Sequence, residues 1–167
     1  FASIHKEEYE KVLKIIENLN LNSIDQIIII PRHIHFSSKL KSMIKNFNSN
    51  KIFILEKFGE NDIAYENSKL TFMGGSLFEH GGQNPIEPLS KGCFVLSGQY
   101  INNFSEIYED LENLSLAKVF KEKNNEEIGS AINKYIDMEL NNEANIKDYF
   151  NLNIKQLSLI INKVEEC

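Results

Sequence analysis

The chain has 167 residues, a formal net charge of −6, 42% hydrophobic and 25% charged residues, the composition of an ordinary globular domain. The acidic balance argues against a nucleic-acid-binding protein, which normally carries a basic stripe. No apolar run approaches the ~20 residues of a membrane span, and the first residues lack the apolar core of a signal peptide. Cys93 and Cys167 have no spacing typical of a metal site or a disulfide framework. We therefore expect one domain over residues 1–167, in a reducing cytoplasm.

The hydrophobic pattern predicts strands and helices in alternation. A first helix is predicted over residues 6–19, with acidic residues in its first turn. The apolar residues on one face of this helix are Val12, Leu13, Ile15, Ile16 and Leu19. Four consecutive isoleucines then predict a strand buried on both faces and ended by Pro31. Further strands are predicted at 51–55, 69–73, 93–98 and 117–121, and further helices at 37–47, 59–68, 84–92, 103–114, 124–138 and about 146–165. This order predicts a Rossmann-like parallel sheet with helices on both faces and no internal domain boundary.

Polar stretches follow the predicted strands at the edge where open α/β sheets bind ligands. The most distinctive stretch is GGSLFEHGGQNPIEP, residues 74–88. Its glycines permit close backbone approach, and a helix start supplies unpaired N–H groups. Asn84 is predicted to cap that helix, and Glu87 to accept hydrogen bonds from a ribose diol. Because the stretch matches neither a Walker loop nor the dinucleotide fingerprint, a nucleotide cradle and a tight structural turn both remain open.

Arginine, histidine and cysteine residues are further candidates for the site. Arg32 is the single arginine among 18 basic residues, and its planar guanidinium can bind phosphate or carboxylate through two hydrogen bonds, which lysine cannot. His33 and His35 have no carboxylate or cysteine nearby at ligand spacing, so the sequence does not favour a metal site there. Cys93 opens a predicted core strand and is expected to be a small buried hydrophobic residue.

Five motifs, in order and at consistent spacing, resemble those of Kdo transferases. These are GT-B glycosyltransferases that attach 3-deoxy-D-manno-octulosonic acid (Kdo) to lipid A. Residues 72–88 are similar to the family pattern F-V-G-G-S-L-x-x-x-G-G-H-N-P-L-E-P. The other four motifs are ASIHKEE (2–8), IIIIPRH (27–33), FGEND (58–62) and SGQYINNFSEI (97–107). The resemblance covers about residues 2–110 and is to the C-terminal, donor-binding half of the family.

The resemblance implies a donor site for CMP-Kdo, with Arg32 on the CMP phosphate. The residues it places at that site are Pro31, Arg32, Phe58, Gly59, Glu60, Gly74, Gly75, Ser76, Asn84, Pro85, Ile86 and Glu87. No metal or other cofactor is expected, since the donor carries one phosphate and the chain has no D-x-D motif. Cys93-Phe94 stands where the family has Lys-Pro, and Phe58 replaces methionine. Gln83 and Tyr100 replace histidines, and those two departures bear on sugar specificity.

The family's N-terminal half carries the catalytic base, the site for the lipid A precursor and the membrane-associating surface. We therefore expect no catalytic residue in this chain and no activity from it alone, with the full-length protein at the cytoplasmic face of the bacterial inner membrane. Two alternatives remain open. One is a GT-B domain for another nucleotide sugar, as in a UDP-sugar transferase or epimerase, and the other is a nucleotide-binding module without chemistry.

Overall fold

The computed structural model describes residues 1–45, 47, 50–57, 59–121, 124–140 and 142–165, with side chains up to residue 155. Its strands are β1 (Ile27–Ile29), β2 (Ile52–Ile54), β3 (Leu70–Met73), β4 (Phe94–Ser97) and β5 (Ala117–Val119). Its α-helices are α1 (Tyr9–Glu17), α2 (Ser37–Ile44), α3 (Asn61–Glu66), α4 (Ile86–Ser90), α5 (Ser105–Asn113), α6 (Asn125–Asp137) and α7 (Glu143–Glu165). Short 3₁₀ turns precede α1, α2 and α5, at Lys6–Glu8, Ile34–Phe36 and Asn102–Phe104.

All described strand pairs are parallel. β1 pairs with β2, and β4 lies between β3 and β5. Residues 1–4, which we call the bridging segment, join these two groups of strands. On one side Ala2 N–H donates to the carbonyl of Phe72 at 2.9 Å, and on the other Ile4 N–H donates to the carbonyl of Ile30 at 3.0 Å. The bridging segment therefore acts as a central strand, which the sequence analysis did not predict.

With the bridging segment included, the strand order is β2, β1, bridging segment, β3, β4, β5. Counted along the chain this is 3-2-1-4-5-6, the order of the Rossmann fold. The order reverses direction between the bridging segment and β3. Ligands of such sheets bind outside the carboxyl ends of the strands at this reversal, so the topology points to the residues just after the bridging segment and just after β3.

Two hydrophobic cores cover the two faces of the sheet. One contains α1 and α6, and its apolar face is the predicted one, with Val12, Ile15 and Ile16 fully buried. The other contains α3, α5 and the start of α7. Cys93 is fully buried in this second core, as predicted, with its sulfur 3.2 Å from the carbonyl oxygens of Tyr65 and Ser68. The prediction of helices on both faces of a parallel sheet is confirmed.

The local differences from the predicted elements are mostly at element ends. The predicted helix over 84–92 is only five residues long and begins at Ile86, directly after Pro85. β1 is less enclosed than predicted, because Ile28 is only partly buried. Among the helices in the described part of the chain, none is both long enough and apolar enough to cross a membrane.

Candidate functional site

The polar stretches that follow the strands meet at one edge of the sheet. Gly82 N–H donates to the carbonyl of Gly75 at 2.8 Å, so the glycine-rich loop folds back on itself. Tyr100 N–H donates to the carbonyl of Ser76 at 3.1 Å, which ties the loop after β4 to the loop after β3. The imidazole of His5 lies 5.9 Å, centroid to centroid, from that of His33 in the loop after β1. The polar stretches that the sequence analysis placed at one edge of the sheet therefore lie next to one another in the structure.

Glu8 organises the centre of this edge. Its carboxylate is fully buried and accepts hydrogen bonds from the amides of Gly75 (2.8 Å), Ser76 (3.0 Å) and Leu77 (3.0 Å). It also accepts from the amide of His5 at 2.9 Å. The interpretation of Glu8 as one of several acids favoured by a helix dipole is therefore incomplete, because its main partners lie 67 to 69 residues away in the chain.

The loop amides nearest β3 are consequently engaged inside the protein. Ser76 is fully buried, and its hydroxyl donates to the carbonyl of Met73 at 2.6 Å and accepts from the amide of Gly98 at 2.9 Å. A Cβ at Gly74 would lie 2.3 Å from the carbonyl oxygen of Ser3, so only glycine fits beside the bridging segment. The structure thus gives Gly74, Gly75 and Ser76 a role in shaping the edge, and their contact with a donor stays a prediction.

Arg32 follows the buried Pro31 at the carboxyl end of β1. Its backbone amide donates to the carbonyl of Ile4 at 2.8 Å, which fixes the residue beside the bridging segment. Its side chain is exposed, and the described residues offer its guanidinium no hydrogen bond or ion pair. A guanidinium at this position that the described residues leave unpaired is suited to an anionic ligand.

The residues of the N-P-I-E motif surround the start of α4. The side-chain oxygen of Asn84 accepts from the amide of Ile86 at 3.0 Å. Asn84 therefore supports the helix start from one residue further out than predicted, because Pro85 occupies the cap position. Pro85 is buried, Ile86 is half-buried and Glu87 is exposed. Burial raises the pKa of Tyr65 to about 12, and the negative charge of Glu87 adds to that shift. The negative charge of Glu87 therefore acts on the buried Tyr65 of α3 although its own side chain is exposed to solvent.

Gly59 and Glu60 lie after β2, on the far side of β1 from the glycine-rich loop. Gly59 has a φ of +84°, a conformation that favours glycine. Glu60 is the residue before α3, and its carboxylate pairs with the ammonium of Lys57. Phe58, the third predicted donor contact of this motif, lies outside the described residues.

Histidines from three loops gather beside the glycine-rich loop. The rings of His5 and His80 stack with centroids 4.4 Å apart and planes 15° apart. The side-chain nitrogen of Gln83 lies 3.3 Å from Nε2 of His5. Burial lowers the pKa of His5, an effect that the nearby Glu8 carboxylate opposes only in part. Sequence reasoning singled out His33 and His35 and missed the His5–His80 pair, because these two residues are 75 positions apart.

A cavity of about 490 Å³ lies at the opposite edge of the sheet. It is lined by the residues that lead into β1 and β3, including Ile24, Gln26, Ser68 and Lys69. Of the predicted donor contacts that the structure describes, none lines this cavity. Because open α/β sheets bind ligands at the carboxyl ends of their strands, we place the functional site at the edge that carries Glu8, Arg32 and the glycine-rich loop.

The chain is similar to known glycosyltransferases. It is 32% identical over 126 residues to the 3-deoxy-D-manno-octulosonic acid transferase of Haemophilus influenzae, covering 66% of this chain and 29% of the relative. It is 26% identical over 208 residues to the bifunctional glycosyltransferase/methyltransferase of Fusobacterium nucleatum, covering 99% of this chain and 32% of the relative. The predicted resemblance to Kdo transferases is confirmed. The chain spans about a third of the length of these curated relatives.

A solved structure is similar to the fold. The C-terminal CMP-Kdo binding domain of WaaA from Acinetobacter baumannii superimposes with a TM-score of 0.65 at 21% identity, over 82% of this chain and 87% of that domain. At that identity the likeness establishes the fold alone, and it confirms the predicted Rossmann-like class of a parallel sheet with helices on both faces. No family model matches the chain.

Proposed function

We propose that this chain is the donor-binding domain of a glycosyltransferase that transfers Kdo from CMP-Kdo to a lipid A precursor in lipopolysaccharide biosynthesis. The observation that carries the proposal is the position of Arg32. Its exposed guanidinium, which the described residues leave without a partner, lies at the carboxyl end of β1 next to the bridging segment. The similarity to Kdo transferases and to a CMP-Kdo binding domain supports this choice of donor.

The proposal gives several of the predicted contacts a chemical role. Arg32 binds the single phosphate of CMP through charged hydrogen bonds. Glu87, exposed in the first turn of α4, accepts hydrogen bonds from the two ribose hydroxyls. Gly59 and Glu60 complete the nucleotide site from the loop after β2. Glu8 takes no part in binding and holds the glycine-rich loop in place through the amides of Gly75, Ser76 and Leu77.

The proposal for the whole protein is broader. The catalytic base, the lipid A precursor site and the membrane-associating surface belong to a second domain, and the complete enzyme works at the cytoplasmic face of the bacterial inner membrane. This chain supplies donor binding and orientation, and transfer requires both domains. Two other assignments compete with this one: a domain for a UDP-sugar, and a nucleotide-binding module without chemistry.

Calorimetric titration with CMP and UDP, each with and without EDTA, separates these assignments. We expect CMP to bind at least tenfold more tightly than UDP, with the same affinity in EDTA, because the donor carries one phosphate and no metal bridges a diphosphate. Preference for UDP would support the UDP-sugar alternative, and equal weak binding of both would support the module without sugar-nucleotide specificity. A strict Mg²⁺ requirement for CMP would contradict the metal-free mode of binding.

Arg32→Lys tests the residue on which the proposal depends. The substitution keeps the positive charge and removes the planar pair of donors. We expect CMP binding to weaken by about 1–3 kcal/mol, the scale of a charged hydrogen bond, while the circular dichroism spectrum stays unchanged. Lys39→Arg, the reverse exchange at an exposed position of α2, is the control and should leave CMP affinity unchanged. Normal affinity in a folded Arg32→Lys variant would place the phosphate elsewhere.

A further inference from the structure

Three potential metal ligands converge next to the donor site. One ligand atom from each of His5, Glu7 and His80 lies within 4.8 Å of the corresponding atoms of the other two. Nε2 of His80 is 3.9 Å from the Glu7 carboxylate, and the His5 and His80 rings are stacked. None of the three belongs to the predicted nucleotide contacts. The cluster is therefore a feature of the edge that the proposed function does not use.

The loops that carry these ligands are already held together. His5 and Glu7 lie just after the bridging segment, and His80 lies in the loop after β3. Between them Glu8 accepts hydrogen bonds from the amides of Gly75, Ser76 and Leu77, three to five residues before His80. The amide of His5 also donates to Glu8. The backbone therefore fixes the spacing of the cluster. The His5 and His80 rings, now stacked with planes 15° apart, must rotate to direct their nitrogen lone pairs at one ion.

The donor set indicates which ion the cluster suits. Zinc binds imidazole nitrogen and carboxylate oxygen at about 2.0–2.2 Å, so ligand atoms in a tetrahedral site are about 3.4 Å apart. The distance from Nε2 of His80 to the Glu7 carboxylate, 3.9 Å, is about 0.5 Å longer than that, and no separation among the three ligand atoms exceeds 4.8 Å. Two imidazoles favour zinc and its first-row neighbours, whereas Mg²⁺ and Ca²⁺ prefer sites made of oxygen ligands. Three protein ligands also leave a fourth position for water or an anionic oxygen.

We propose that His5, Glu7 and His80 form a binding site for a divalent transition-metal ion of the zinc class. The ion would link the 3₁₀ turn at Lys6–Glu8 to the loop after β3, across the point where the strand order reverses. Glu7 and His80 are exposed and His5 is half-buried, so the ion can enter from solvent. None of the three residues is a predicted nucleotide contact, so the proposal does not rest on the proposed function.

The neighbouring histidines provide an internal control. His33 lies 5.9 Å from His5 between ring centroids, and His35 lies 5.6 Å from His33. These two residues are separated by one position in the sequence, which did not favour a metal site on them. Replacing His35 removes a nearby imidazole of equal chemistry without touching the three proposed ligands. The comparison of His80→Gln with His35→Gln therefore separates a built site from general binding of zinc to surface histidines.

The test is calorimetric titration of the EDTA-stripped, folded chain with Zn²⁺. We expect one equivalent of Zn²⁺ to bind, with affinity reduced at least tenfold in His80→Gln and in Glu7→Gln and changed less than threefold in His35→Gln. Co²⁺ as a second probe should give visible absorption bands of a four-coordinate ion in the unmodified chain and lose them in His80→Gln. Circular dichroism verifies the fold of each variant.

Several results would overturn the proposal. Absence of saturable Zn²⁺ binding in the unmodified chain would show that the side chains do not converge on an ion. Equal weakening by His35→Gln and His80→Gln would assign the ion to the surface histidines in general. Tight binding of Mg²⁺ at the same site would contradict the assigned donor chemistry. CMP affinity measured in EDTA is independent of all these outcomes, so failure of the metal site and failure of the proposed function are distinguishable.

Discussion

Glu8 is a buried carboxylate whose negative charge is matched by four backbone N–H donors, from His5, Gly75, Ser76 and Leu77. Burying an ionised group is costly unless such donors compensate it. The arrangement explains how the glycine-rich loop can direct three consecutive amides toward one point, because the Glu8 carboxylate is their common acceptor. The carboxylate supplied by the chain holds the loop in the conformation that the edge requires.

Glu8→Gln measures what this carboxylate contributes. Glutamine keeps the size of the side chain and one carbonyl acceptor, but its amide nitrogen would face backbone donors. We expect the free energy of unfolding to fall by about 2–3 kcal/mol, because buried donors lose their acceptor. Chemical denaturation measures this change. Glu10→Gln, at an exposed position of α1, is the control, and a similar small loss in both variants would contradict the role of Glu8.

Glu87→Gln separates two possible roles of an exposed carboxylate at a helix start. A site that hydrogen-bonds a substrate hydroxyl discriminates strongly against the analogue that lacks it. If Glu87 binds the ribose hydroxyls, the variant should therefore lose most of its preference for CMP over 2′-deoxy-CMP. Stability should fall by only ~0.3–1 kcal/mol, the scale of a helix-terminus charge. Calorimetry with both nucleotides measures the preference.

The same substitution has a second, structural readout. Removing the negative charge of Glu87 should lower the pKa of Tyr65, which burial and that charge together raise. Ultraviolet titration of the tyrosines detects this change. Glu79→Gln, in the exposed part of the glycine-rich loop, serves as the matched control for ribose preference. Retained preference in Glu87→Gln would make the residue a helix-start residue only and move ribose recognition elsewhere.

At the scale of elements, α1 and α6 are packed backbone to backbone through Gly129. A Cβ at this position would lie 2.5 Å from the carbonyl oxygen of Ile15 and 2.8 Å from Cβ of Asn18. Side-chain hydrogen bonds reinforce the contact, since Asn133 donates to the carbonyl of Asn18 at 2.9 Å and accepts from the amide of Asn20 at 2.8 Å. The close approach therefore depends on the absence of a side chain at one helical position.

Gly129→Ala should reverse the usual effect of this substitution. In an exposed helix interior, alanine is more favourable than glycine by about 1 kcal/mol. Here we expect the free energy of unfolding to fall by about 1–3 kcal/mol, the scale of overpacking, because the two helices must separate. Ser130→Ala, exposed on the same helix, is the control and should not destabilise. A stabilised Gly129→Ala variant would mean that α6 can shift without loss.

Hydrophobic periodicity predicted the long elements well. The run of isoleucines became β1, and the predicted face of the first helix became the buried face of α1. The bridging segment was missed because Ala2, Ser3 and Ile4 are too few to show alternation. Their strand character comes from the neighbouring strands, with which they exchange hydrogen bonds, and a local pattern cannot contain that information.

The same reasoning explains which site residues could be found. Arg32 and the glycine-rich loop stand out in the sequence because their residue types are rare or clustered. Glu8 and the His5–Glu7–His80 cluster do not, because their partners are 67 to 75 positions away and meet only when the sheet reverses direction. The strand order of the sheet brings these residues together, and the spacing of residues along the sequence does not reveal that order.

For the whole molecule, the bridging segment is what makes one sheet from two groups of strands. Beyond the bonds from Ala2 and Ile4, Gly74 N–H donates to the carbonyl of Ala2, and Arg32 N–H to that of Ile4, each at 2.8 Å. The pairing of β1 with β2 and that of β3, β4 and β5 are otherwise separate. The candidate site is built on both sides of this junction, with Arg32 on one side and the glycine-rich loop on the other.

Ala2→Pro should therefore damage the fold and the site together. Proline removes the N–H that donates to Phe72, and a central strand tolerates it poorly because that bond cannot be replaced. We expect a loss of about 3 kcal/mol or more in the free energy of unfolding, since a buried carbonyl is left unpaired and the strand must distort. CMP binding should be lost in the same variant.

Ala2→Gly keeps the N–H and, as the control, should cost only about 1 kcal/mol. If both variants unfold at similar denaturant concentrations, helix packing on the two faces, and not the bridging segment, holds the two halves of the sheet together.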